Sequence, residues 1–380
     1  MGGGVVANML DYLDWRGDLS LGADPFNAVD ALILTQLSYV PFEGVVSGRF
    51  DERRTLADAF AAYRPDEVPE PLRNATFEEN LRLFEKLARS ERFGGAELCG
   101  YDRRTDPQLD LQFAAITFLL GDGTAFVAFR GTDGTIVGWR EDFDLSFMDR
   151  TPGQQCAAEY LDRHFADCPL PLRVGGHSKG GNLALYAAVC CTPELRERVT
   201  AVYSFDGPGF RDEFTQSEAY LRVLPKLVSV IPQSSLIGQL MSSGAEHRIV
   251  RSDAVGMYQH QPYSWQVLGS RFEELEELSR YGAFLNRMLD GWISELDDTT
   301  RQKLVEAIFD VLEAPETETF RDINKNKTKN YAAILRALMA LTPEQRGALK
   351  QALSTLAASS RQSLLKKPTE RSPLPSHTQP

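Results

Sequence analysis

The chain has little cysteine. Its 380 residues include five cysteines, an odd number with two of them adjacent, and no Cys-x-x-Cys pair. A disulfide-stabilised scaffold needs paired cysteines and a cysteine zinc site needs closely spaced ones, so neither is indicated. No apolar run approaches the length that crosses a bilayer, and residues 1–8 lack the basic and apolar parts of a signal peptide. We therefore expect a cytoplasmic protein with no transmembrane segment.

Positive charge is also scarce. The chain carries 41 Lys and Arg against 53 Asp and Glu, which gives a formal net charge of −12. Nucleic acid is not an expected partner, because phosphate backbones are bound by basic surfaces. The sequence contains no His-Glu-x-x-His, no Walker-type phosphate loop and no dinucleotide glycine fingerprint. It therefore predicts no metal and no cofactor.

Apolar, β-branched segments alternate with helical patterns between residues 110 and 260. Such alternation predicts an α/β fold, with a mostly parallel sheet and helices on both faces. Past residue 270 the patterns are helical only. We predict a domain over 1–268 that includes an N-terminal helical segment and a candidate lid region at 41–110, then a helical region over 269–365 and a disordered tail over 366–380.

Several individual elements can be placed. Two apolar strands at 111–120 and 124–129 flank Gly-Asp-Gly, which is a hairpin signal. Asn27 can cap a helix whose apolar residues fall on one face, and an amphipathic pattern from Leu275 to Leu296 predicts one further helix. Thr342 begins a capping box ahead of the last helix. Further strands are expected at 199–205, 227–231 and 247–251.

The most informative motif is Gly-His-Ser-Lys-Gly at residues 176–180. It follows a short apolar strand at 172–175 and precedes an Ala/Leu-rich helix at 181–189, the context of a nucleophile elbow. In such an elbow the serine hydroxyl is held out on a tight turn, and glycines two residues to either side leave room for that turn. Ser178 is therefore the predicted nucleophile.

A serine hydroxyl needs a base, and histidine fits best at neutral pH. Of the five histidines, His377 lies in the tail, His164 lies on a helix, and the side chain of His177 is expected to point away from the hydroxyl. Two candidates remain. His260 is preferred because it lies in a loop after a strand and follows the serine in the chain. His247 begins a strand, where a structural role is the better interpretation.

The acid that orients the base should lie between the serine and the histidine in sequence. Asp206 ends the strand after the elbow helix and precedes a tight Gly-Pro-Gly loop, so its carboxylate would be fixed at the end of a strand. Asp253 follows a later strand and is the competing candidate. A turn-stabilising role is the structural alternative for Asp206.

An oxyanion needs two N–H donors. The amide of Lys179 is available in the elbow itself, and a second amide is expected from the loop that follows the strand at 124–129. Thr132 is the preferred residue there, since its hydroxyl could add a third donor. The Lys179 side chain is a candidate for attracting an anionic head group, although a lysine at the start of a helix is more often simply solvated.

At these residues the chain resembles the α/β-hydrolase superfamily and, within it, the class-three lipases. Residues 129–132, followed by Trp139, Asp142 and Asp144, resemble the oxyanion segment of that family, and residues 176–181 resemble its elbow. The chain departs from the family in two places. Lys179 stands where an apolar residue is usual, and the segment at 230–235, which matches the acid-bearing segment of those lipases, has no carboxylate. The position of Asp206 is instead similar to that of the acid in pancreatic-type lipases.

More narrowly, the chain as far as about residue 315 resembles the Mbeg-like family, bacterial lipase-like proteins of unassigned function. The segments that carry this resemblance are 12–18, 30–39, 176–182, 205–209, 232–238 and 259–265.

Together these features predict a serine hydrolase that cleaves a carboxylic ester, of small-molecule or lipid type, through an acyl-enzyme. One alternative is a non-catalytic protein that uses a hydrolase scaffold to bind a ligand or a partner, with the C-terminal helices as the contact region. Another is an amidase or peptidase, which the elbow alone does not exclude.

Overall fold

The computed structural model describes residues 7–132, 148–315 and 327–365; the predicted tail at 366–380 lies outside them. In this part of the chain nine strands form one sheet in the order β1-β2-β3-β4-β5-β6-β7-β8-β11, and β9 and β10 form a separate hairpin. The strands are β1 Arg54–Thr55, β2 Glu97–Asp106, β3 Leu111–Leu119, β4 Ala125–Phe129, β5 Leu172–His177, β6 Val199–Phe205, β7 Leu227–Pro232, β8 His247–Val250, β9 Val267–Leu268, β10 Arg271–Phe272 and β11 Glu274–Leu275.

Five neighbouring strands, β4 to β8, run parallel and form the centre of the sheet. Antiparallel strands extend both edges: β1, β2 and β3 join on the β4 side, and β11 pairs with β8. β3 and β4 are the predicted hairpin, with Ala115 opposite Phe129. The C-terminal ends of the parallel strands meet at one edge, which is where ligands bind in open α/β sheets.

Helices cover both faces of the sheet, as predicted. They are α1 Met9–Arg16, α2 Ala28–Leu37, α3 Leu56–Ala62, α4 Phe77–Arg89, α5 Pro152–Phe165, α6 Lys179–Cys190, α7 Pro193–Arg198, α8 Asp212–Thr215, α9 Glu218–Val223, α10 Arg280–Ser294, α11 Asp298–Glu313, α12 Lys327–Ala340 and α13 Pro343–Leu365. Short 3₁₀ turns occur at Pro65–Glu67, Glu70–Leu72, Leu224–Lys226, Ile237–Gln239, Gly256–His260 and Pro262–Ser264.

Two hydrophobic cores lie on the two faces of the sheet. Along β4, Phe126 and Ala128 belong to a core shared with α1, α2 and α4. Val127 and Phe129 belong to a second core shared with α5 and α6. This alternation follows from the two-residue repeat of a strand. A sheet with apolar residues on both faces needs a helical layer on each.

Helix α2 departs from the amphipathic prediction. Asn27 caps it as expected, accepting from the amides of Val29 and Asp30, but residues 29–37 are all buried. Asp30 has no exposed surface and pairs with the equally buried Arg92, with 2.6 Å between Oδ2 and Nη2. Because the carboxylate has a buried cationic partner, this helix can be enclosed on every side.

The region at 41–110, a candidate lid by sequence, contributes β1 and β2 to the sheet and α4 to one core. Its buried residues include Phe42, Leu56 and Leu98. These parts of the region are therefore integral to the folded domain.

One helix boundary was predicted wrongly. Leu275 was expected to start a helix reaching Leu296, but it lies in β11 opposite Ile249, and helix α10 begins only at Arg280. The unpaired edge of β8 offers backbone hydrogen bonds that the isolated apolar pattern does not reveal. Farther on, Thr342 and Gln345 exchange the two capping-box hydrogen bonds predicted for the last helix. No helix in the described residues has the length and apolar character needed to cross a membrane.

Candidate active site

Ser178 joins the end of β5 to the start of α6 in a strained conformation. Its φ of 58° and ψ of −131° lie outside the regions that L-residues usually adopt. Two hydrogen bonds hold the turn: the Ser178 amide donates to the carbonyl of Phe205 at 2.9 Å, and the Gly181 amide donates to the carbonyl of Ser178 at 2.9 Å. The side chain is half-buried at the carboxyl edge of the parallel strands. This is the geometry of a nucleophile elbow.

The two glycines of the motif are required by space. A Cβ on Gly176 would lie 2.0 Å from the carbonyl carbon and oxygen of Gly180, and a Cβ on Gly180 would lie 2.2 Å from the carbonyl oxygen of Phe129. Neither position can hold a side chain unless the backbone moves. The spacing Gly-x-Ser-x-Gly therefore follows from how tightly β5, the turn and β4 pack.

The structure brings Asp206 and His260 together. Nδ1 of His260 lies 2.6 Å from Oδ2 of Asp206. Asp206 follows β6 directly and is fully buried, whereas the His260 side chain, at the end of the Gly256–His260 turn, is 26% exposed. A carboxylate only accepts, so in neutral His260 the proton lies on Nδ1 and the lone pair on Nε2. The ring is thereby held in the tautomer that a general base requires.

Further donors fix the other oxygen of the same carboxylate. Oδ1 of Asp206 accepts from the Gly238 amide at 3.0 Å and from the hydroxyl of Ser235. Ser235 belongs to the segment at 230–235 that has no carboxylate, unlike the class-three lipases it matches. In this structure the Ser235 hydroxyl of the segment donates to Asp206, the residue that follows the neighbouring strand β6. Sequence reasoning missed Ser235 because it looked for an acid there and not for a donor.

The competing candidates lie elsewhere. Asp253 is exposed, and its backbone amide donates to the carbonyl of Ser264. His247 lies in β8 with Nδ1 2.8 Å from the hydroxyl of Ser229, and burial lowers its pKa. His164 stacks on Phe50, and burial lowers its pKa as well. Of the candidate acids and histidines, Asp206 and His260 are therefore the two whose side chains are in contact.

The side chain of Lys179 corrects one expectation. It is 1% exposed, and its Nζ donates to the backbone oxygen and to Oε1 of Gln112, both at 3.0 Å. The ammonium thus lies under the elbow against β3, and it is neither solvated nor available to a substrate head group. Only the backbone amide of Lys179 remains relevant to the predicted oxyanion site.

The end of β4 lies beside the elbow. A Cβ on Gly131 would lie 3.3 Å from Cβ of Ser178, and Thr132 is the residue that follows Gly131 in the chain. The Gly131 amide donates to the hydroxyl of Tyr39 at 3.1 Å. The amide of Thr132, the next residue, stays a predicted oxyanion donor. Trp139, Asp142 and Asp144, the other residues of the lipase-like segment, lie outside the described residues.

His177 contacts His260 directly, which sequence reasoning did not foresee. Its ring lies 4.4 Å from the His260 ring between centroids, and its Nε2 lies 2.8 Å from the backbone oxygen of His260. Burial, reinforced by the neighbouring His260, holds the pKa of His177 well below its ordinary value. Its position immediately before the serine was visible in the sequence, but the fold of the distant turn that carries His260 was not.

Among residues 7–132, 148–315 and 327–365, no group of three or more His, Cys, Asp or Glu side chains is placed to hold a metal ion.

A sheet with parallel central strands, a serine elbow after β5 and an acid–histidine pair at the adjacent strand ends defines an α/β-hydrolase fold of the lipase-like type. The chain belongs to the Mbeg1-like family, whose sequence profile matches residues 87–310, more than half of its length. This membership agrees with the resemblance that the sequence motifs gave.

Two solved lipases are similar to the chain at low identity. The Rhizomucor miehei lipase propeptide complex shares 16% identity over 41% of this chain and 57% of the lipase, with a TM-score of 0.31. The M37 lipase shares 14% identity over 56% of this chain and 68% of its own, with a TM-score of 0.34. The match to the Rhizomucor protein thus spans little more than half of that lipase. A comparison with curated proteins gave no match.

Proposed function

We propose that this protein is a serine hydrolase that cleaves carboxylic esters through an acyl-enzyme intermediate. The observation that carries the proposal is the 2.6 Å contact of His260 with the buried carboxylate of Asp206, at the same sheet edge as a strained elbow serine. A buried carboxylate, an oriented imidazole and a serine hydroxyl are the three parts that acyl transfer needs.

In the first half of the reaction Ser178 attacks the ester carbonyl carbon. Nε2 of His260 takes the hydroxyl proton, and Asp206 stabilises the imidazolium that forms. The tetrahedral intermediate carries its negative charge on the former carbonyl oxygen, which the amides of Lys179 and Thr132 receive. A single oxyanion donor contributes about 10²- to 10³-fold to turnover. The intermediate then collapses: the bond from its carbon to the alkoxy oxygen breaks, His260 gives the proton to the departing alcohol, and the acyl group stays on Oγ of Ser178.

In the second half a water molecule replaces the alcohol. His260 removes a proton from the water as the water attacks the acyl carbon. The second tetrahedral intermediate then breaks its bond to Oγ of Ser178, which takes the proton back from His260, and the carboxylic acid is released. The proposed substrate is a small-molecule or lipid ester.

A fluorophosphonate probe tests the proposal. Wild-type protein should be labelled covalently at Ser178, and Ser178→Ala should not be labelled although it folds. Ser354→Ala, which removes an exposed serine of α13, is the matched control and should be labelled like the wild type. A folded wild type that resists labelling and hydrolyses no p-nitrophenyl ester of any chain length would instead identify a non-catalytic binding protein. Faster turnover of anilides than of esters would identify an amidase.

A further inference from the structure

Two consecutive backbone carbonyls in the turn that carries His260 accept hydrogen bonds from side chains outside the turn. Nε1 of Trp265, a fully buried residue, donates to the carbonyl of Gln259 at 2.7 Å. Nε2 of His177 lies 2.8 Å from the carbonyl oxygen of His260. Each of these carbonyls is therefore held by a ring nitrogen of a buried side chain.

The hydrogen bond to His260 fixes the protonation of His177. A carbonyl oxygen only accepts, so Nε2 of His177 must carry the proton. The ring is 5% exposed and its pKa lies well below the ordinary value, because burial and the adjacent His260 ring both disfavour a second proton. His177 is consequently neutral, and Nδ1 is left as an acceptor.

Tyr39 lies on the acceptor side of this ring. Its hydroxyl oxygen is 3.4 Å from Nδ1 and 3.5 Å from the backbone oxygen of His177, and it accepts from the Gly131 amide at 3.1 Å. Hydrogen bonds therefore run in one direction, from the end of β4 to Tyr39, to His177 and on to the turn that bears the base. The bonds at Tyr39 are long and hence weak, whereas the bond to His260 is short.

We propose that His177 is a positioning residue. Its neutral imidazole donates to the backbone carbonyl of His260 and packs against the His260 ring, and both contacts hold His260 in place relative to Ser178. Tyr39 supports it by joining His177 to the end of β4. The inference rests on the proposed function, since it concerns the residue that would act as the base. His177 itself takes up no proton during the reaction.

Three variants separate hydrogen bonding from packing. His177→Leu removes the donor, whereas His177→Gln keeps an N–H at a similar reach, and Tyr39→Phe removes only the supporting hydroxyl. With a soluble p-nitrophenyl ester, His177→Leu should lower kcat about 10- to 100-fold with little change in KM, because small displacements of a catalytic group are costly. His177→Gln should recover most of that loss. Tyr39→Phe should lower kcat about 2- to 10-fold, the effect of one ordinary hydrogen bond.

His164→Gln is the matched control, because it changes another histidine with a lowered pKa, one that is half-buried in α5. It should leave kcat and KM unchanged. Equal impairment of His177→Leu and His177→Gln would overturn the donor role, and a wild-type kcat in His177→Leu would overturn the whole inference.

A second readout does not depend on turnover. The Nδ1 proton of His260, bonded to Asp206, should give a far-downfield proton resonance that Asp206→Asn abolishes. This resonance should move or broaden in His177→Leu, return towards its original position in His177→Gln, and stay unchanged in His164→Gln. If the wild type hydrolyses nothing but the resonance behaves in this way, the positioning role stands while the proposed function fails. Should the His177 variants not fold, Tyr39→Phe decides: an unshifted resonance together with a wild-type kcat would refute the Tyr39–His177 connection.

Discussion

Ser178 and Asp206 occupy matching positions on neighbouring parallel strands. The last residue pair between β5 and β6 is His177 with Phe205. Ser178 and Asp206 are the residues that follow these two in the chain. Both have a positive φ, 58° for Ser178 and 49° for Asp206. The chain thus turns sharply at the same level of two adjacent strands, which places a hydroxyl and a carboxylate at one edge of the sheet.

The strain at Ser178 predicts an unusual response to mutation. Ser178→Gly and Ser178→Ala both remove the hydroxyl, but only glycine adopts this positive φ without strain. We expect Ser178→Gly to be about 1 kcal/mol more stable than Ser178→Ala, as measured by urea unfolding. Equal stabilities would contradict the idea that the elbow backbone is strained.

The hydrogen bond between Asp206 and His260 predicts which carboxylate matters for activity. Asp206→Asn should lower esterase kcat by several orders of magnitude, on the order of 10⁴-fold, since an amide no longer enforces the productive tautomer. Asp253→Asn changes an exposed carboxylate and should leave kcat unchanged. Both variants are compared at saturating p-nitrophenyl ester, with circular dichroism to confirm folding. A large loss in Asp253→Asn alone would reverse the assignment.

The Asp30–Arg92 pair predicts a large and specific loss of stability. Arg92→Met leaves a fully buried carboxylate without its cation, which costs about 3–5 kcal/mol of unfolding free energy. Arg53→Met breaks an ion pair with Glu97 whose side chains are 44% and 43% exposed, and it should cost about 0–1 kcal/mol. Adding Asp30→Asn to Arg92→Met should restore part of the loss. Urea denaturation measures all three, and a loss in Arg92→Met no larger than that in Arg53→Met would count against the buried pair.

Three histidines with lowered pKa values predict how stability depends on pH. Burial is the main cause for His164, His177 and His247, whose ordinary pKa is 6.5. Below about pH 6.5 the unfolded chain binds protons that the folded protein does not, so the free energy of unfolding falls as the pH falls towards the lowered values. Above that pH the three rings are neutral in both states and contribute no slope.

Urea unfolding at about pH 7.5 and about pH 5.5 measures this dependence, and each ring adds at most about 1.4 kcal/mol per pH unit. The double variant His164→Gln/His247→Gln, which spares the proposed site, should show a shallower slope than the wild type. An identical slope would mean that these two rings titrate normally in the folded protein.

The elbow could be predicted from sequence because its requirements are local. The two glycines, the serine and the flanking strand and helix all lie between residues 172 and 190, and the close contacts at Gly176 and Gly180 explain that spacing. His260 was selected by elimination among the five histidines, and Asp206 was selected because it ends the strand that follows the elbow helix. The structure brings the two together, and their catalytic roles stay predictions.

What the sequence did not reveal depends on contacts between distant segments. Asp30 and Arg92 are 62 positions apart, so the complete burial of α2 could not be read from its own pattern. The spacing of apolar residues around Leu275 suits a helix, but Leu275 is extended because β11 pairs with the edge of β8. The side chain of Lys179 turns towards Gln112, 67 positions away, and no local rule predicts that direction.

The proposed site also bears on how the chain acquires activity. Tyr39 follows α2, His177 ends β5 in the middle of the sheet, and His260 ends a turn that follows β8. These contacts therefore join segments that are remote in sequence. Contacts of this kind form only when long loops close, and the entropic cost of closure slows folding. We therefore expect these contacts to form late. During refolding, covalent labelling of the serine should therefore return with the last tertiary structure and not with early helix formation.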